Sequence, residues 1–468
     1  MSSSLDTLCD AVTSPLVASL LETHPNDLAV SRSWPFRESW WEWAKGSSDG
    51  TDRWRQILEY SQLDSEARAL GKEWDIPVEL RDLIDQLTSL SLPRDVIPIN
   101  AVDPFELSTR GMSPKKAHEV HQSVAYISNL LSSLNLDVPA VRIVDVGAGQ
   151  GYLTRALRSH LGTTHLLALD SSEIQTRGAE RWQERTGLVG SITQKTIHIT
   201  PQTLSDSVDE WIQSSKVPSS GEPVPVLFVA LHACGSLTPD ILRAFFMQQT
   251  RVGHAWWKPL GVIAIGCCYN LLASRDFPLS THLTCRPERL SLPISAFHLA
   301  AQMPSQWMRS PESRADAELA LRKVVWRAII GSRFSANVES DSIDGQPDGT
   351  GDRPVMRRLG RLSNAVYTDW ETFVRAASDR LGAVFECGPL TGYENGLISE
   401  LEVLHVLRCI AGPMVESLFI VDRRTWVQEQ LVGLVDVQVA VVNLFDQGTG
   451  SGRNVALVVS PQGPRPNR

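Results

Sequence analysis

The chain has 468 residues, 42% hydrophobic and 21% charged, enough apolar material for a sizeable core spread over two or three domains. Its 44 Lys and Arg against 53 Asp and Glu leave a net charge of -9, which excludes wholesale non-specific nucleic-acid binding but leaves room for a local basic patch. By sequence, no apolar run approaches the ~20 residues of a membrane span; the best, Gly261 to Ala273, is short and carries Asn270. The opening MSSSLDTLCDAVTSPL has neither a basic n-region nor an Arg-rich amphipathic pattern, so no secretory or transit segment is expected. Seven thinly spread cysteines read as reduced thiols, hence an intracellular protein of cytoplasm or nucleus.

Residues 1-105 are expected to form a helical, Trp-rich N-terminal domain. Trp34, Trp40, Trp41, Trp43, Trp54 and Trp74 fall in segments of helical spacing such as Leu80, Leu83, Ile84, Leu87. Pro35, Pro77, Pro93, Pro98 and Pro104 punctuate them. The tryptophans read as core and packing residues before they read as a binding surface. From about residue 106 a helix over Ser113 to Leu134, with Pro114 in its first turn, leads into the apolar run Val141 to Val146. Strand-like runs follow at Leu166 to Leu169, Thr196 to Ile199, Val224 to Leu231 and Gly261 to Gly266, each separated by helical stretches. That alternation predicts βαβ units and a parallel sheet covered on both faces, an α/β fold.

After Cys268 the pattern loosens. Residues 276-399 read as an irregular insertion on the substrate side, with 335-353 (SANVESDSIDGQPDGTGDR) a flexible loop lacking aromatics. The run VESLFIVDRRTWVQEQ is strand or helix by pattern alone. Two strands, Val435 to Leu444 and Asn454 to Val459, would complete the sheet within residues 400-462, and the tail PQGPRPNR would be disordered.

The chemistry concentrates in VRIVDVGAGQGYLTRAL, residues 141 to 157. A buried strand ending in Asp145 is followed by Gly147, Gly149 and Gly151 and then by an amphipathic helix. Glycines there let the backbone turn tightly and approach a ligand. A dinucleotide fingerprint needs a glycine where Tyr152 stands, so the spacing is a different one. A second strand, LLALD, ends in Asp170, where an acid can accept hydrogen bonds from both ribose hydroxyls of an adenosine.

Together these features resemble the class I S-adenosylmethionine-dependent methyltransferases. The ordered set MSPKKAHEV, DVGAGQGYL, ALHACGSLT, GCCYNLL, FPLS and VDRRTWVQE…VNLFD…SGRNVALV is similar to the methyltransferase-like protein 25 family, with its ribosomal RNA adenine dimethylase domain-containing members. The resemblance covers residues ~105 to 460. It implies a Rossmann-like, mostly parallel sheet with helices on both faces, whose cofactor half is 106-275. It implies S-adenosyl-L-methionine as cofactor, held by Asp145, Gly147, Gly149, Gly151 and Asp170, and a methyl-transfer reaction on an RNA or protein acceptor. The different-class reading is a non-catalytic methyltransferase-fold protein acting through partner binding.

Strand order implied by that fold sets His232 and Cys234, after the fourth strand, beside Cys267 and Cys268, after the fifth. Three uses compete: a metal site, a thiolate activated by His232, or small residues lining a tight pocket. The spacing is not the usual C-x₂-C of a metal site, so pocket lining is the expectation and no metal is expected. Leu231-His232-Ala233-Cys234-Gly235 stands where enzymes acting on exocyclic base nitrogens carry an Asn/Asp-Pro-Pro-Tyr segment, so adenine dimethylation is not supported. Lys115, Lys116, His118 and Glu119, on the helix before the first strand, would act as a lid or substrate contact, or form a solvated face. Tyr269 and Asn270 would face the substrate or cap the next helix. Arg322, Lys323, Arg327, Arg357, Arg358 and Arg361 form a basic cluster able to meet RNA phosphates or an acidic partner, or simply a charged surface.

Overall fold

The computed structural model describes residues 4–31, 36–45, 52–69, 74–98, 108–163, 165–187, 190–214, 222–252, 255–288, 290–341, 359–382, 389–434 and 436–462. Trp34, Arg357, Arg358, most of the loop 335–353 and the end of the tail lie outside them. The chain forms two compact units, each drawn from separated segments. One comprises 1–9, 92–292 and 416–468, the other 10–91 and 293–415. The second unit thus joins most of the N-terminal helices to most of the region 276–399, a grouping that a linear division at 105, 275 and 399 does not anticipate.

The first unit is built on seven strands: β1 Arg142–Val146, β2 Leu166–Asp170, β3 Thr193–Thr196, β4 Val224–Cys234, β5 Trp257–Cys267, β6 Val437–Asn443 and β7 Val455–Pro461. Their order is β3-β2-β1-β4-β5-β7-β6. The first five are parallel, and β7 runs antiparallel to both β5 and β6. This is the mostly parallel sheet that the resemblance implies. β3 begins three residues before the apolar run Thr196 to Ile199; Ile197 and Ile199 pack on the sheet from just beyond its end.

Alternation along the strands explains why both faces are covered. Val144, Val146, Leu167, Leu169, Val226, Phe228, Val262 and Val459 point into one core, with Leu204 and Val208 of the helix Pro201–Ser214 and Phe245 of the helix Leu237–Gln249. Ile143, Leu166, Ala168, Leu227, Val229, Ile263 and Val458 point into the other, with Val124 and Ile127 of the helix Pro114–Ser133 and Leu153 and Leu157 of the helix Tyr152–Leu161. A strand buried on both sides has no polar face, which is why these runs read as continuously apolar. Gly261 is required by this packing: a Cβ there would meet the Val459 carbonyl at 2.5 Å.

The region 276–399 is more regular than its sequence suggests. It contains the helices Pro311–Asp341 and Trp370–Leu381, so the loop expected from residue 335 begins inside a helix. Trp326, Tyr367, Trp370 and Phe373 assemble a small aromatic core in the second unit with Ile330, Val374 and Leu381. Trp40, Trp41 and Trp54 are buried, as core tryptophans should be. The ambiguous run VESLFIVDRRTWVQEQ is helical, the end of a long helix Gly392–Gln430. That helix is long and apolar enough to cross a membrane, a stretch the sequence reading missed, with mean hydropathy 1.6 over its most apolar window. Burial of 89% of that window inside the protein accounts for its apolarity.

Candidate functional site

In an open parallel sheet the loops beyond the carboxyl ends of the strands form the binding crevice. Here those loops carry two adjoining constellations, one after β1 and β2 and one after β4 and β5.

The first is the glycine turn. Gly147, Gly149 and Gly151 all have left-handed backbones, with φ of 77°, 56° and 69°. Three such residues in five fold the chain back on itself, which residues bearing a Cβ do only under strain. The amides of Gly147 and Ala148 donate to the Leu169 carbonyl (2.8 and 3.0 Å), and the Gly149 amide donates to Asp170 Oδ2 (2.8 Å). The second Asp170 oxygen accepts from the Ser172 amide at 2.8 Å. A Cβ added at Gly149 would meet nothing within 4 Å, so the outer side of the turn is open space.

Asp145 lies beneath this turn, 2% exposed, and accepts from the Thr154 hydroxyl. Burial pushes its carboxyl up to about 6, although the Thr154 hydrogen bonds work the other way.

The second constellation depends on a register shift between β4 and β5, at Ala230/Ala233. Because of that bulge Cys234 lies directly beside Cys267. His232 and Cys268 carry left-handed backbones, φ 72° and 45°, rare for residues with side chains. Gly235 (φ 54°) then passes so close to Leu271 that a Cβ would sit 2.7 Å from its carbonyl oxygen. The result is a triangle of sulfurs: Cys234 to Cys267 at 3.1 Å, Cys234 to Cys268 at 3.4 Å and Cys267 to Cys268 at 3.7 Å. Cys267 is buried, Cys268 half-buried and Cys234 exposed. The Cys267 hydrogen bond pulls the Cys234 thiol down to about 6 despite its partial burial, aided by Cys268 and His232. The same interactions push Cys267 well above the usual thiol range. These three sulfurs can hold one metal ion, the set of such ligands found among the described residues.

His232 does not join them as a fourth ligand. Its Nε2 lies 2.9 Å from Glu119 Oε2, which also takes Lys116 Nζ at 2.7 Å. Glu119 is 1% exposed. Burial favours its neutral form, but the His232 and Lys116 hydrogen bonds and charges prevail and hold the carboxyl down at about 2. Its other oxygen, Oε1, is buried without a hydrogen-bond partner. The lid segment is therefore divided. Lys116 and Glu119 reach His232, Lys115 is exposed, and His118 packs edge-on against Phe445.

Tyr269 and Asn270 part company as well. Asn270 is exposed, whereas Tyr269 is fully buried, its hydroxyl donating to Glu416 Oε1 and its ring against Phe419. In the basic cluster, Arg322 donates to the Tyr367 carbonyl, Lys323 to Asn364, and Arg327 to the Tyr367 hydroxyl and Gly360 carbonyl. Arg361 is exposed.

A third feature escaped the sequence reading. A cleft of about 560 Å³ beside the glycine turn is lined by Arg110, Gln150, Tyr152, Arg155, Arg181, Trp182 and Arg185. The Arg155 guanidinium lies 4.1 Å over Trp182 and 4.7 Å over Tyr152. Its arginines come from three separated segments, so no charge run announces them.

The sheet order, the glycine turn and the acid at the tip of β2 define a class I methyltransferase domain. The family described as "Methyltransferase domain" matches residues 115–275 of the chain. The probable methyltransferase-like protein 25 of Homo sapiens is 28% identical over 229 residues, covering 47% of this chain and 34% of that protein. Its Mus musculus counterpart is 28% identical over 212 residues, covering 44% and 33%. The chain is thus similar to the methyltransferase-like protein 25 proteins, and its match spans about a third of the length of these curated relatives. Among solved structures, a putative sarcosine dimethylglycine methyltransferase from Galdieria sulphuraria is similar over 31% of this chain and 45% of its own, at TM-score 0.21 and 17% identity. Coclaurine N-methyltransferase is similar over 81% and 93%, at TM-score 0.22 and 14% identity.

Proposed function

We propose that this chain transfers the methyl group of S-adenosylmethionine to a nucleophile carried on RNA, inside the cell. The observation that carries the reading is the left-handed glycine turn tied by the Gly149 amide to the Asp170 carboxylate. Its residues fit such a cofactor. The open side of Gly149 gives a ligand room against bare backbone, and each Asp170 oxygen keeps a lone pair for a ribose hydroxyl after accepting one amide. When bound, the cofactor supplies an electrophilic methyl on a positive sulfonium. What remains for the protein is to align the acceptor and exclude water. β4, which carries His232 near its carboxyl end, pairs directly with β1, so the Glu119–His232–Lys116 network belongs to the strand next to the one that leads into the glycine turn. Glu119, ionised at neutral pH, positions the His232 ring.

The arginine cleft supports RNA over a protein acceptor: Arg110, Arg155, Arg181 and Arg185, converging from three segments, suit phosphates. Arg322, Lys323 and Arg327 belong to the proposal as a weaker contact, because their donors already serve their own unit.

Calorimetric titration with S-adenosylmethionine and with its demethylated product tests the cofactor half. Wild type should bind with micromolar affinity, about -8 kcal/mol, and Gly149→Arg and Asp170→Ala should abolish binding. No binding by wild type overturns the reading. For the acceptor, tritiated methyl should enter RNA in cell extract and fall at least tenfold with Arg155→Glu/Arg181→Glu, cofactor binding being kept. Label confined to protein would overturn the RNA assignment alone.

A further inference from the structure

We infer that Cys234, Cys267 and Cys268 bind a zinc ion through three thiolates, leaving its fourth position open. The geometry fits. A single point about 1.2 Å out of the plane of the three sulfurs lies about 2.3 Å from each, the zinc–thiolate bond length. Ideal tetrahedral thiolates stand about 3.8 Å apart, so binding opens the triangle by a few tenths of an ångström.

The backbone is shaped to bring in the third sulfur. Cys234 and Cys267 are neighbours by strand register, but Cys268 follows Cys267 and would point away in an extended strand. Its left-handed φ of 45° turns it back onto the same side. A residue bearing a side chain adopts that region only under strain. A disulfide between Cys234 and Cys267 would use two sulfurs and leave that strain without purpose. A soft cation uses all three.

Burial places the open position. Cys267 is inside, while Cys234 faces outward and Cys268 is partly covered. The metal would therefore be anchored from within and completed by water or by an incoming nitrogen or sulfur donor. A zinc with three protein ligands and one exchangeable position polarises what it binds. His232 is engaged with Glu119, consistent with a three-ligand set. The inference does not depend on the methyl-transfer reading: it rests on the sulfurs alone.

The test is metal content of the full chain, purified with reductant and without chelator, together with cobalt(II) titration of the metal-stripped protein. Wild type should carry one zinc per chain, and cobalt should give thiolate-to-metal charge-transfer absorption with the intense visible bands of a tetrahedral site. Cys234→Ser, whose side chain is exposed and whose fold is checked by circular dichroism, should weaken cobalt binding at least tenfold. Cys285→Ser, elsewhere on the surface, should not. Wild-type zinc no higher than in the Cys234→Ser/Cys267→Ser/Cys268→Ser variant would overturn the inference. So would cobalt binding without charge-transfer absorption, or a Cys234–Cys267 disulfide in protein purified under reductant.

Discussion

The loops after β1 and β2 and the loops after β4 and β5 solve the same problem with different residues. Both must bend a chain leaving a largely buried strand. The first does so with glycines at 147, 149 and 151, and its backbone amides are tied to Leu169 and Asp170. The second does so with a register shift and with His232 and Cys268 in backbones that favour glycine. The difference teaches what each end is for. Glycine keeps side chains out, so the first turn offers backbone and space. Forcing His232 and Cys268 into the left-handed region keeps side chains in, so the second offers imidazole and sulfur.

Four changes sharpen that contrast. The largest effect is expected at Asp145, beneath the glycine turn. Its folded carboxyl titrates near 6, above the ~4 of an unfolded aspartate, so the native state binds the proton more tightly. Wild-type stability should therefore fall as pH rises from ~4 to ~6, by about 3 kcal/mol, and stay lower above that. Asp145→Asn, which keeps an acceptor for Thr154, should lack this loss in urea melts across the window. Parallel wild-type and variant curves would contradict the assignment.

Glu119 should behave in the opposite sense. Its carboxyl, held near 2, contributes stability that is fully present above the unfolded value of about 4.5 and is lost as pH falls through 2. Glu119→Gln should cost about 2 kcal/mol at pH 7, less than a wholly buried pair because Lys116 and His232 remain partly exposed. Its thermal unfolding should then be flatter than wild type between pH 4.5 and 2.

At Gly235 the added methyl of Gly235→Ala would combine an unfavourable φ with a clash against the Leu271 carbonyl. A loss of about 1–2 kcal/mol is expected, read in denaturant midpoints. Gly149→Ala, with open space around it, should cost only the torsional part, about 1 kcal/mol. Equal losses would mean that the close approach at Gly235 is not real.

The smallest effect is chemical. In metal-free protein Cys234 should alkylate with a midpoint near pH 6, while Cys267, buried and with its thiol pushed up, stays protected. Peptide mapping after iodoacetamide at pH 5, 6, 7 and 8 reads this directly. A Cys234 midpoint above 8 would show that the sulfurs do not share their protons as the distances require.

Much of the fold was legible because it is governed by local rules. Fully buried strands write themselves as unbroken Val, Ile and Leu runs, and a turn needing left-handed backbone writes itself as glycine; hence β1, β2, β4 and β5 and the set Gly147, Gly149, Gly151 could be read directly. Helical periodicity was less reliable where burial is complete. The helix Gly392–Gln430 is buried nearly all round over its most apolar stretch and buries Arg408, Glu416, Asp422 and Arg423 as well, so VESLFIVDRRTWVQEQ showed no clean amphipathic stripe to distinguish it from a strand. Polar composition misled in the other direction at residue 335, where the helix Pro311–Asp341 continues to Asp341.

By itself, then, the sequence determined the glycine turn, the acid on each of its first two strands and the alternation of strands and helices up to β5, because each depends on a few adjacent residues. Only the tertiary structure decided that Cys234 meets Cys267 and Cys268, that His232 turns to Glu119, and that arginines from three segments share one cleft. Those pairings depend on register, on a bulge and on which helix covers which strand. They are long-range consequences of packing two cores at once, and no local window of the chain contains them.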